Sequence, residues 1–332
     1  MATAVNDFVR QQLETRRDRL RETLAEKTGH PAHLHALLRE VDGALDRIAA
    51  GSYGICEACH DTIETDRLIC DPLVRFCLDH LSRQERDALE RDLELAANVQ
   101  RGLLPPPTLA RYGWHICYHY EPAGVVSGDY CDVIDAGPAG LYFMVGDVSG
   151  KGLAASMLMA HLHATFRVLI QVGIELKCLL EHASRVFAES TLPNQYATIV
   201  CGRALPDGTL EIVNAGHPPP LVARNGSIAV LDGSNLPVGM FSNEEYSVTR
   251  LSLNRGELLV VYSDGVSEAT DALDTEYGAD RLRSLLGTHR AKSPADLLTT
   301  LRDDLAAFRL NCRKADDATL FVLARAGDTI LN

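Results

Sequence analysis

Aspartates at the ends of apolar runs are the residues whose type and spacing could do chemistry. One such run leads into Asp147, which opens the glycine-rich turn Gly146-Asp147-Val148-Ser149-Gly150-Lys151-Gly152. Further aspartates stand in similar places, namely Asp129 with Asp132, Asp264, and Asp316 with Asp317. Carboxylates gathered from distant strand ends can hold hard divalent cations such as Mg²⁺ or Mn²⁺. The pattern therefore predicts a carboxylate metal centre.

The predicted centre favours phosphoryl transfer to water over other chemistries. A pair of carboxylate-held metal ions can activate a bridging water and clamp a phosphoryl group for in-line attack. The sequence has no nucleophile-elbow serine motif, and the turn at 146–152 lacks the spacing of a nucleotide-binding P-loop. Gly128-Asp129-Tyr130 alone suggests a cyclic-dinucleotide cyclase, but the order of the surrounding aspartates does not fit that class.

A second group of candidate ligands lies nearer the N-terminus. Cys56 and Cys59 form one short chelating pair, and Cys77 and His80 form another. This spacing predicts a tetrahedral structural zinc site, whose four ligands leave no open position for chemistry. The alternative is a small core of reduced cysteines. His60 and Cys70 are spare candidates outside the paired spacing.

Composition limits the class of protein. A length of 332 residues predicts two domains. A formal net charge of -13 argues against broad nucleic-acid binding. The odd number of cysteines, nine, suits a reducing cytoplasm better than a disulfide framework. No apolar run reaches the roughly 18 residues of a membrane span, and the first residues lack a signal-peptide pattern. We therefore expect a cytoplasmic protein without a membrane segment.

Short strands must position the aspartates. Patterns of apolar residues and turns predict ten strands, at 115–120, 130–135, 140–145, 197–203, 209–214, 220–224, 227–231, 246–251, 257–262 and 318–324. Helical patterns interrupt them at 152–171, 174–191, 278–288 and 293–310. The expected fold class is α+β: an antiparallel two-sheet β-sandwich flanked by helices.

Helical patterns precede the predicted sandwich. Residues 5–28 and a segment from Leu34 to Ile48 predict a helical hairpin, broken at Gly29 and Pro31. Residues 83–103 predict a charged linker helix that ends at a run of prolines. Its narrow apolar stripe predicts a homodimer, and packing onto the following domain is the alternative.

Residues of about 32–82 resemble the zinc finger of the DksA/TraR family, through Ala50-Gly51-Ser52-Tyr53-Gly54-Ile55-Cys56-Glu57-Ala58-Cys59. Members of that family bind RNA polymerase in its secondary channel with acidic residues at a long coiled-coil tip. In this chain the helices are short, the tip around 26–31 lacks the paired aspartates, and His80 stands where many members have Cys. The resemblance therefore supports the zinc fold more than RNA polymerase as a partner.

Residues of about 97–325 resemble the metal-dependent (PPM, type-2C) Ser/Thr protein phosphatases, specifically the bacterial SpoIIE/RsbU-like branch. The motifs that carry the resemblance occur in the family's order: 99–105, 127–132, 146–152, 214–219, 262–266 and 316–319. Ser127 replaces a frequent Gly, and Lys151 replaces a frequent His. The resemblance implies hydrolysis of phosphoserine or phosphothreonine on a small regulatory protein, such as an anti-sigma factor antagonist, without a phosphoenzyme.

The same resemblance implies the ligands of two Mn²⁺ or Mg²⁺ ions. Asp129 and Asp147 would be ligands, with Asp147 bridging, and the backbone carbonyl of Val148 would add an oxygen. Asp264 and Asp316 would complete the site, with Asp317 the less favoured choice of its pair. For Asp132, ligation and a hydrogen-bonding role both stay open.

Residues outside the ligand set also acquire expected roles. Gly128 and Gly150 would allow close backbone approach. Asn214 and His217 lie in a turn before three prolines, and turn architecture is the favoured interpretation of His217. The alternative is that His217 donates a proton to the serine leaving group.

The expected organisation has three parts: a helical hairpin with a zinc finger (1–82), a linker helix (83–104) and a phosphatase domain (105–326). In the resembled family an N-terminal module commonly controls the phosphatase through such a helix, so we expect the same regulation here. The rival hypothesis is an RNA-polymerase-binding transcription regulator whose phosphatase half is a non-catalytic scaffold.

Overall fold

The computed structural model describes residues 2–26, 32–80, 83–192, 194–224, 226–241, 244–290, 292–310, 312 and 314–326. The chain divides into two compact units, Met1–Arg91 and Asp92–Asn332. Each unit has a hydrophobic core of its own. The predicted helix break at Gly29 and Pro31 lies outside the described residues.

Helices and a cysteine-bearing segment form the first unit. Helices α1 (Ala2–Glu26) and α2 (Ala32–Ala49) pack against each other. A short helix α3 (Thr65–Cys70), absent from the sequence prediction, and a 3-10 turn at Leu78–His80 follow. The apolar core joins the helices to the cysteine segment through Val9, Leu13, Val41, Ala44, Ile48, Tyr53, Cys56, Ile63, Leu68 and Cys77.

Helix α4 (Arg83–Leu103) coincides with the predicted linker helix. The strands that follow are β1 (Thr108–Arg111), β2 (Trp114–Glu121), β3 (Asp129–Asp135), β4 (Leu141–Val148), β5 (Ala197–Ala204), β6 (Thr209–Ala215), β7 (Leu221–Arg224), β8 (Ser227–Val230), β9 (Ser234–Asn235), β10 (Thr249–Ser252), β11 (Leu258–Tyr262) and β12 (Ala318–Arg325). The helices among them are α5 (Gly152–Val172), α6 (Leu176–Ser190), α7 (Asp264–Ser267), α8 (Ala279–His289) and α9 (Pro294–Arg309).

The strands form two sheets. One has the order β1-β2-β12-β11-β7-β8, and the other has the order β10-β6-β5-β4-β3, with β9 beside β6. Neighbouring strands are antiparallel apart from the short β6–β9 pair. Every residue of β11 is buried, which explains why its sequence is an unbroken apolar run and does not alternate between apolar and polar residues. This architecture confirms the predicted fold class.

Three cores hold the layers of the second unit together. The two sheets face each other across a core that contains Trp114, Phe143 and Phe321, with the last two rings stacked 5.6 Å apart. Helices α5 and α6 cover the outer face of the β3–β4 sheet, and α8 and α9 cover the other sheet. The candidate site residues therefore lie on strands that are packed from both sides.

Helix α5 is long enough and apolar enough to cross a membrane, and no other helix in the described residues is. Its residues Met159, Leu162, Phe166 and Ile170 are buried in the core against the β3–β4 sheet. The apolar character of α5 therefore has a packing explanation within the fold.

Local differences from the predicted elements have simple causes. Strands β1 and β9 were not predicted, because β1 is mostly exposed at a sheet edge and β9 has two residues. The predicted strand at 246–251 begins later, at Thr249, although Tyr246 is buried in the core beside α6. Helix α7 has four residues, too few to show a helical period in the sequence.

Candidate metal centre

Strands β3 and β4 bring the first two predicted ligands together. Asp129 and Asp147 are directly opposite in the antiparallel register. Their neighbours at two-residue spacing, Cys131 and Val145, belong to the core between the sheets, so both aspartates lie on that inner side. Asp129 is 1% exposed. The pair thus places two carboxylates at one end of the sandwich interior.

Hydroxyl groups of the opposite sheet hold the Asp129 side chain. Its Oδ2 accepts hydrogen bonds from Ser263 Oγ at 3.0 Å and from Thr319 Oγ1 at 2.5 Å. Its Oδ1 is buried and has no hydrogen-bond partner among the described residues. Burial, followed by the charge of Asp147, raises the pKa of Asp129 well above its usual range. A buried carboxylate oxygen without a partner is a fitting ligand for a cation.

The remaining predicted ligands come from the opposite sheet. Asp264 opens α7 immediately after β11, and Asp316 precedes β12. The two segments are tied by the hydrogen bond from Ser263 N to Thr319 O at 3.0 Å. Gly265 fits here because a Cβ at that position would collide with the backbone carbonyl of Asp317.

Burial and mutual repulsion raise the pKa values of Asp147 and Asp264. Burial, then Asp264, Asp316 and Asp317, raise the pKa of Asp147 to about 7. Burial and the charge of Asp316 raise the pKa of Asp264. Aspartates predicted from four distant motifs therefore lie close enough to influence one another electrostatically. A bound divalent cation would relieve that repulsion.

Gly128 lies against the candidate ligands. A Cβ on Gly128 would stand 3.1 Å from Asp147 Oδ1 and 3.2 Å from the Val148 carbonyl oxygen, so the backbone does approach closely here. Gly150 differs, because a Cβ there would meet no heavy atom within 4 Å. Its φ of +100° is what favours glycine.

Asp316 and Asp317 have different partners. Asp317 accepts hydrogen bonds from Ala123 N at 2.7 Å and from Gly128 N at 2.8 Å, so its carboxylate holds the loop before β3. Asp316 Oδ2 pairs with Lys151 Nζ at 2.8 Å. The arrangement favours Asp316 as a ligand and gives Asp317 a structural role.

Asn214 and His217 form a closed turn. The Asn214 amide donates to the His217 carbonyl and accepts from the His217 N–H, each at 2.9 Å. The His217 ring is buried and contacts Thr198 Oγ1 at 3.0 Å, and burial lowers its pKa to about 3. A neutral imidazole in this position fits the turn role better than proton donation.

Asp132 lies apart from the candidate ligands. Its neighbour Tyr130 belongs to the core beneath α5, so the odd and even residues of β3 face opposite sides of the sheet. Arg167 donates two hydrogen bonds to the Asp132 carboxylate, at 2.9 and 2.8 Å. Asp132 therefore anchors α5 to β3.

Supporting residues that sequence reasoning missed include Ser263, Thr319 and Gln100. The Gln100 side chain is buried; it donates to Ser127 O at 2.6 Å and accepts from Ser127 N at 3.0 Å. A polar residue within the apolar stripe of the linker helix was the available signal for Gln100. Ser263 and Thr319 each lie within a motif quoted above, but only the pairing of β11 with β12 shows that both bind Asp129.

The first unit contains a second cluster. The side-chain ligand atoms of Cys56, Cys59, Cys77 and His80 all lie within 4.8 Å of one another, and within the described ranges no other group of three or more potential ligand residues does so. Cys77 Sγ lies 3.7 Å from Cys59 Sγ and 3.2 Å from His80 Nδ1. Thiolate and imidazole ligands in this arrangement suit Zn²⁺. His60 is not part of the cluster, and the side chain of Cys70 lies outside the described residues.

The second unit is similar in sequence to a known protein family and to several known proteins. A family model described as Stage II sporulation protein E (SpoIIE) matches residues 137–326. Protein IcfG of Synechocystis sp. is 26% identical over 279 residues, which cover 74% of this chain and 43% of IcfG. Phosphoserine phosphatase RsbU of Bacillus subtilis is 26% identical over 243 residues, which cover 71% of each protein. The chain thus spans less than half the length of the first of these relatives.

The fold has a solved counterpart in the SiaA-PP2C domain of Pseudomonas aeruginosa. The two structures superpose with a TM-score of 0.64 at 18% sequence identity, covering 72% of this chain and 98% of that domain. At this identity the likeness establishes the fold, which is that of the two-sheet sandwich described above.

Proposed function

Because the chain belongs to the SpoIIE family, we propose that it is a metal-dependent protein phosphatase that hydrolyses phosphoserine or phosphothreonine. The observation that carries the proposal is the convergence of Asp129, Asp147, Asp264 and Asp316. The first two come from one sheet and the last two from the other. The raised pKa values of Asp129, Asp147 and Asp264 and the unpartnered Asp129 oxygen fit a site for divalent cations.

These four carboxylates and the Val148 carbonyl would hold two Mn²⁺ or Mg²⁺ ions. Bound there, the ions supply Lewis-acid activation of a water and of the phosphoryl group. The protein's part is to fix the ligands before substrate arrives. Ser263 and Thr319 orient Asp129, and Asp317 holds the Gly128 loop against Asp147. His217, buried and neutral, keeps the turn after β6 in place.

The proposed substrate is a phosphorylated regulatory protein, such as an anti-sigma factor antagonist. The support is the relation to RsbU, a phosphoserine phosphatase, over 71% of both chains. The family relation also supports a cytoplasmic location.

We propose that Cys56, Cys59, Cys77 and His80 bind one structural Zn²⁺ within a DksA/TraR-like finger. This finger, as part of an N-terminal module (1–82), would regulate the phosphatase domain (105–326) through the linker helix (83–104). Support comes from Gln100 near the end of α4, which binds both backbone groups of Ser127, two residues before Asp129. A movement of that end of α4 would reach a candidate ligand directly.

The linker helix is also proposed as a homodimer contact. Leu95 and Val99 are 62% and 59% exposed on α4, and Leu153 and Met157 on α5 are exposed beside the same cavity of about 390 Å³. An apolar stripe of this kind is typical of helices that pair with a copy of themselves.

Mn²⁺-dependent release of phosphate tests the proposed function. The wild-type protein should hydrolyse an aryl phosphate and a phosphoserine protein, and Asp147→Asn and Asp264→Asn should not. Equal activity in all three proteins would contradict a role for this centre. A wild-type protein that binds no Mn²⁺ at millimolar concentration would favour the rival, a polymerase-binding regulator with a non-catalytic scaffold.

A further inference from the structure

Lys151 places a positive charge among the candidate metal ligands. It stands at the N-terminus of α5, four residues after Asp147, and its Nζ contacts Asp316 Oδ2 at 2.8 Å and the Ala315 carbonyl oxygen at 2.9 Å. The ammonium is therefore held at two points on the segment that leads into β12.

The contact distinguishes Asp316 from Asp129. Asp129 Oδ1 has no partner among the described residues, so a cation could approach it without displacing anything. Both oxygens of Asp316 already accept hydrogen bonds, Oδ2 from Lys151 Nζ and Oδ1 from Asp317 N at 3.0 Å. A divalent ion that binds Asp316 through Oδ2 would meet the positive charge of the ammonium at that oxygen and compete with it.

We propose that Lys151 is a tethered cation that competes with a divalent ion for the Asp316 carboxylate and thereby lowers the metal affinity of that side of the centre. The inference rests on the proposed function, because it requires a metal ion at Asp264 and Asp316. Lys151 acts through Asp316 and is a positioning residue in this scheme.

Displacement of the ammonium is physically easy. The Lys151 side chain is 66% exposed, and the flexible four-carbon stem can turn its charge into water. An exposed ion pair contributes about 0.2–1 kcal/mol, which corresponds to a change of up to about fivefold in a dissociation constant. The competition is therefore a tuning effect and not a block.

Calorimetric titration of the full chain with MnCl₂ tests the proposal without recourse to activity. The variants are Lys151→Ala, which removes the charge, and Lys151→Arg, which keeps it. Lys314→Ala is the matched control, because Lys314 carries the same charge in the same segment but pairs with Glu121 at 2.8 Å. Circular dichroism of each metal-free variant verifies that it is folded.

We expect Lys151→Ala to bind Mn²⁺ about two- to fivefold more tightly in one of its binding events. The dissociation constant of Lys151→Arg for Mn²⁺ should stay within twofold of the wild-type value, and that of Lys314→Ala should equal it. Unchanged or weaker binding by Lys151→Ala overturns the proposal, as does an equal gain in Lys314→Ala, which would reflect net charge alone. Absence of Mn²⁺ binding in the wild type would instead overturn the proposed function together with this inference.

Discussion

Asp129 and Asp147 lie directly opposite each other on β3 and β4, on the side of the sheet that faces the sandwich interior. Like charges in directly opposed positions destabilise a sheet, and burial strengthens the effect. The chain therefore keeps a destabilising pair in its interior, which is understandable if the pair serves to bind cations.

Asp147→Asn should make the metal-free protein more stable, because it removes one of the repelling carboxylates. A gain of about 1 kcal/mol would raise the unfolding midpoint by about 2–4 °C for a unit of this size. Differential scanning calorimetry at pH 8 with a chelator measures the change. Asp274→Asn, which removes an exposed carboxylate, is the control and should shift the midpoint by less. A lower midpoint for Asp147→Asn would show that the carboxylate stabilises the fold.

The gain from Asp147→Asn should depend on pH. Folding raises the pKa of Asp147 to about 7, above the usual value near 4, so the folded state binds the proton more tightly than the unfolded state. The stability that the group contributes is thus present at low pH and is lost as pH rises from about 4 to 7. The unfolding midpoints of the variant and the wild type should coincide near pH 4, and the difference between them should grow until about pH 7. A constant difference across that range would contradict the raised pKa.

Gln100→Leu should destabilise the second unit. The substitution leaves the N–H and the carbonyl of Ser127 without their side-chain partner, at a cost of about 1–3 kcal/mol for each buried group. Urea unfolding measures the loss, and Mn²⁺ titration should show weaker binding because Ser127 precedes Gly128 and Asp129. The control is Asn98→Ala, on the exposed side of α4. Its free energy of unfolding should stay within about 0.5 kcal/mol of the wild-type value. Equal stability of Gln100→Leu and wild type would rule out the role given to the amide.

Zinc removal should loosen the first unit and leave the second intact. Cys56 and Cys77 belong to the hydrophobic core of the first unit, so loss of a zinc ion bound there would remove a cross-link within it. Elemental analysis should find one Zn²⁺ per chain in the wild type and none in Cys59→Ser. Hydrogen exchange should then rise within residues 32–80 but not within 114–148. Cys312→Ser, outside the cluster, should retain its zinc; a zinc-free wild type with a protected first unit would favour a core of reduced cysteines.

The fold class could be predicted from sequence because strand patterns in the second unit are strong. The runs at 257–262 and 318–324 became β11 and β12 with shifts of one residue at the ends. Strand β1, at the edge of the same sheet, was missed, since an exposed edge strand has no apolar face to reveal it. Tyr246 shows the opposite error, where a buried residue outside regular structure resembled the start of a strand.

The candidate ligands could be predicted because each lies at or beside the end of an apolar strand, in a distinctive motif. The residues that contact these ligands could not be predicted, because the contacts join distant parts of the second unit. The Asp129–Thr319 hydrogen bond joins residues 190 positions apart, and the Lys151–Asp316 contact joins residues 165 apart. Asp132 was left between two roles, although the alternation of side chains along β3 already places it on the other face from Asp129.

The distribution of the ligands between two sheets has a consequence for the order of folding. Neither sheet alone contains the proposed centre, and Asp129 on β3 is separated in sequence from Asp316, which precedes β12, by most of the second unit. Contacts at such long sequence separation form late, because the loop entropy must be lost before they are gained. During synthesis the chain therefore has no competent centre until β12 has joined the sandwich. The proposed phosphatase activity would therefore begin only in the final stage of folding, when a bound cation would also strengthen the docking of the two sheets.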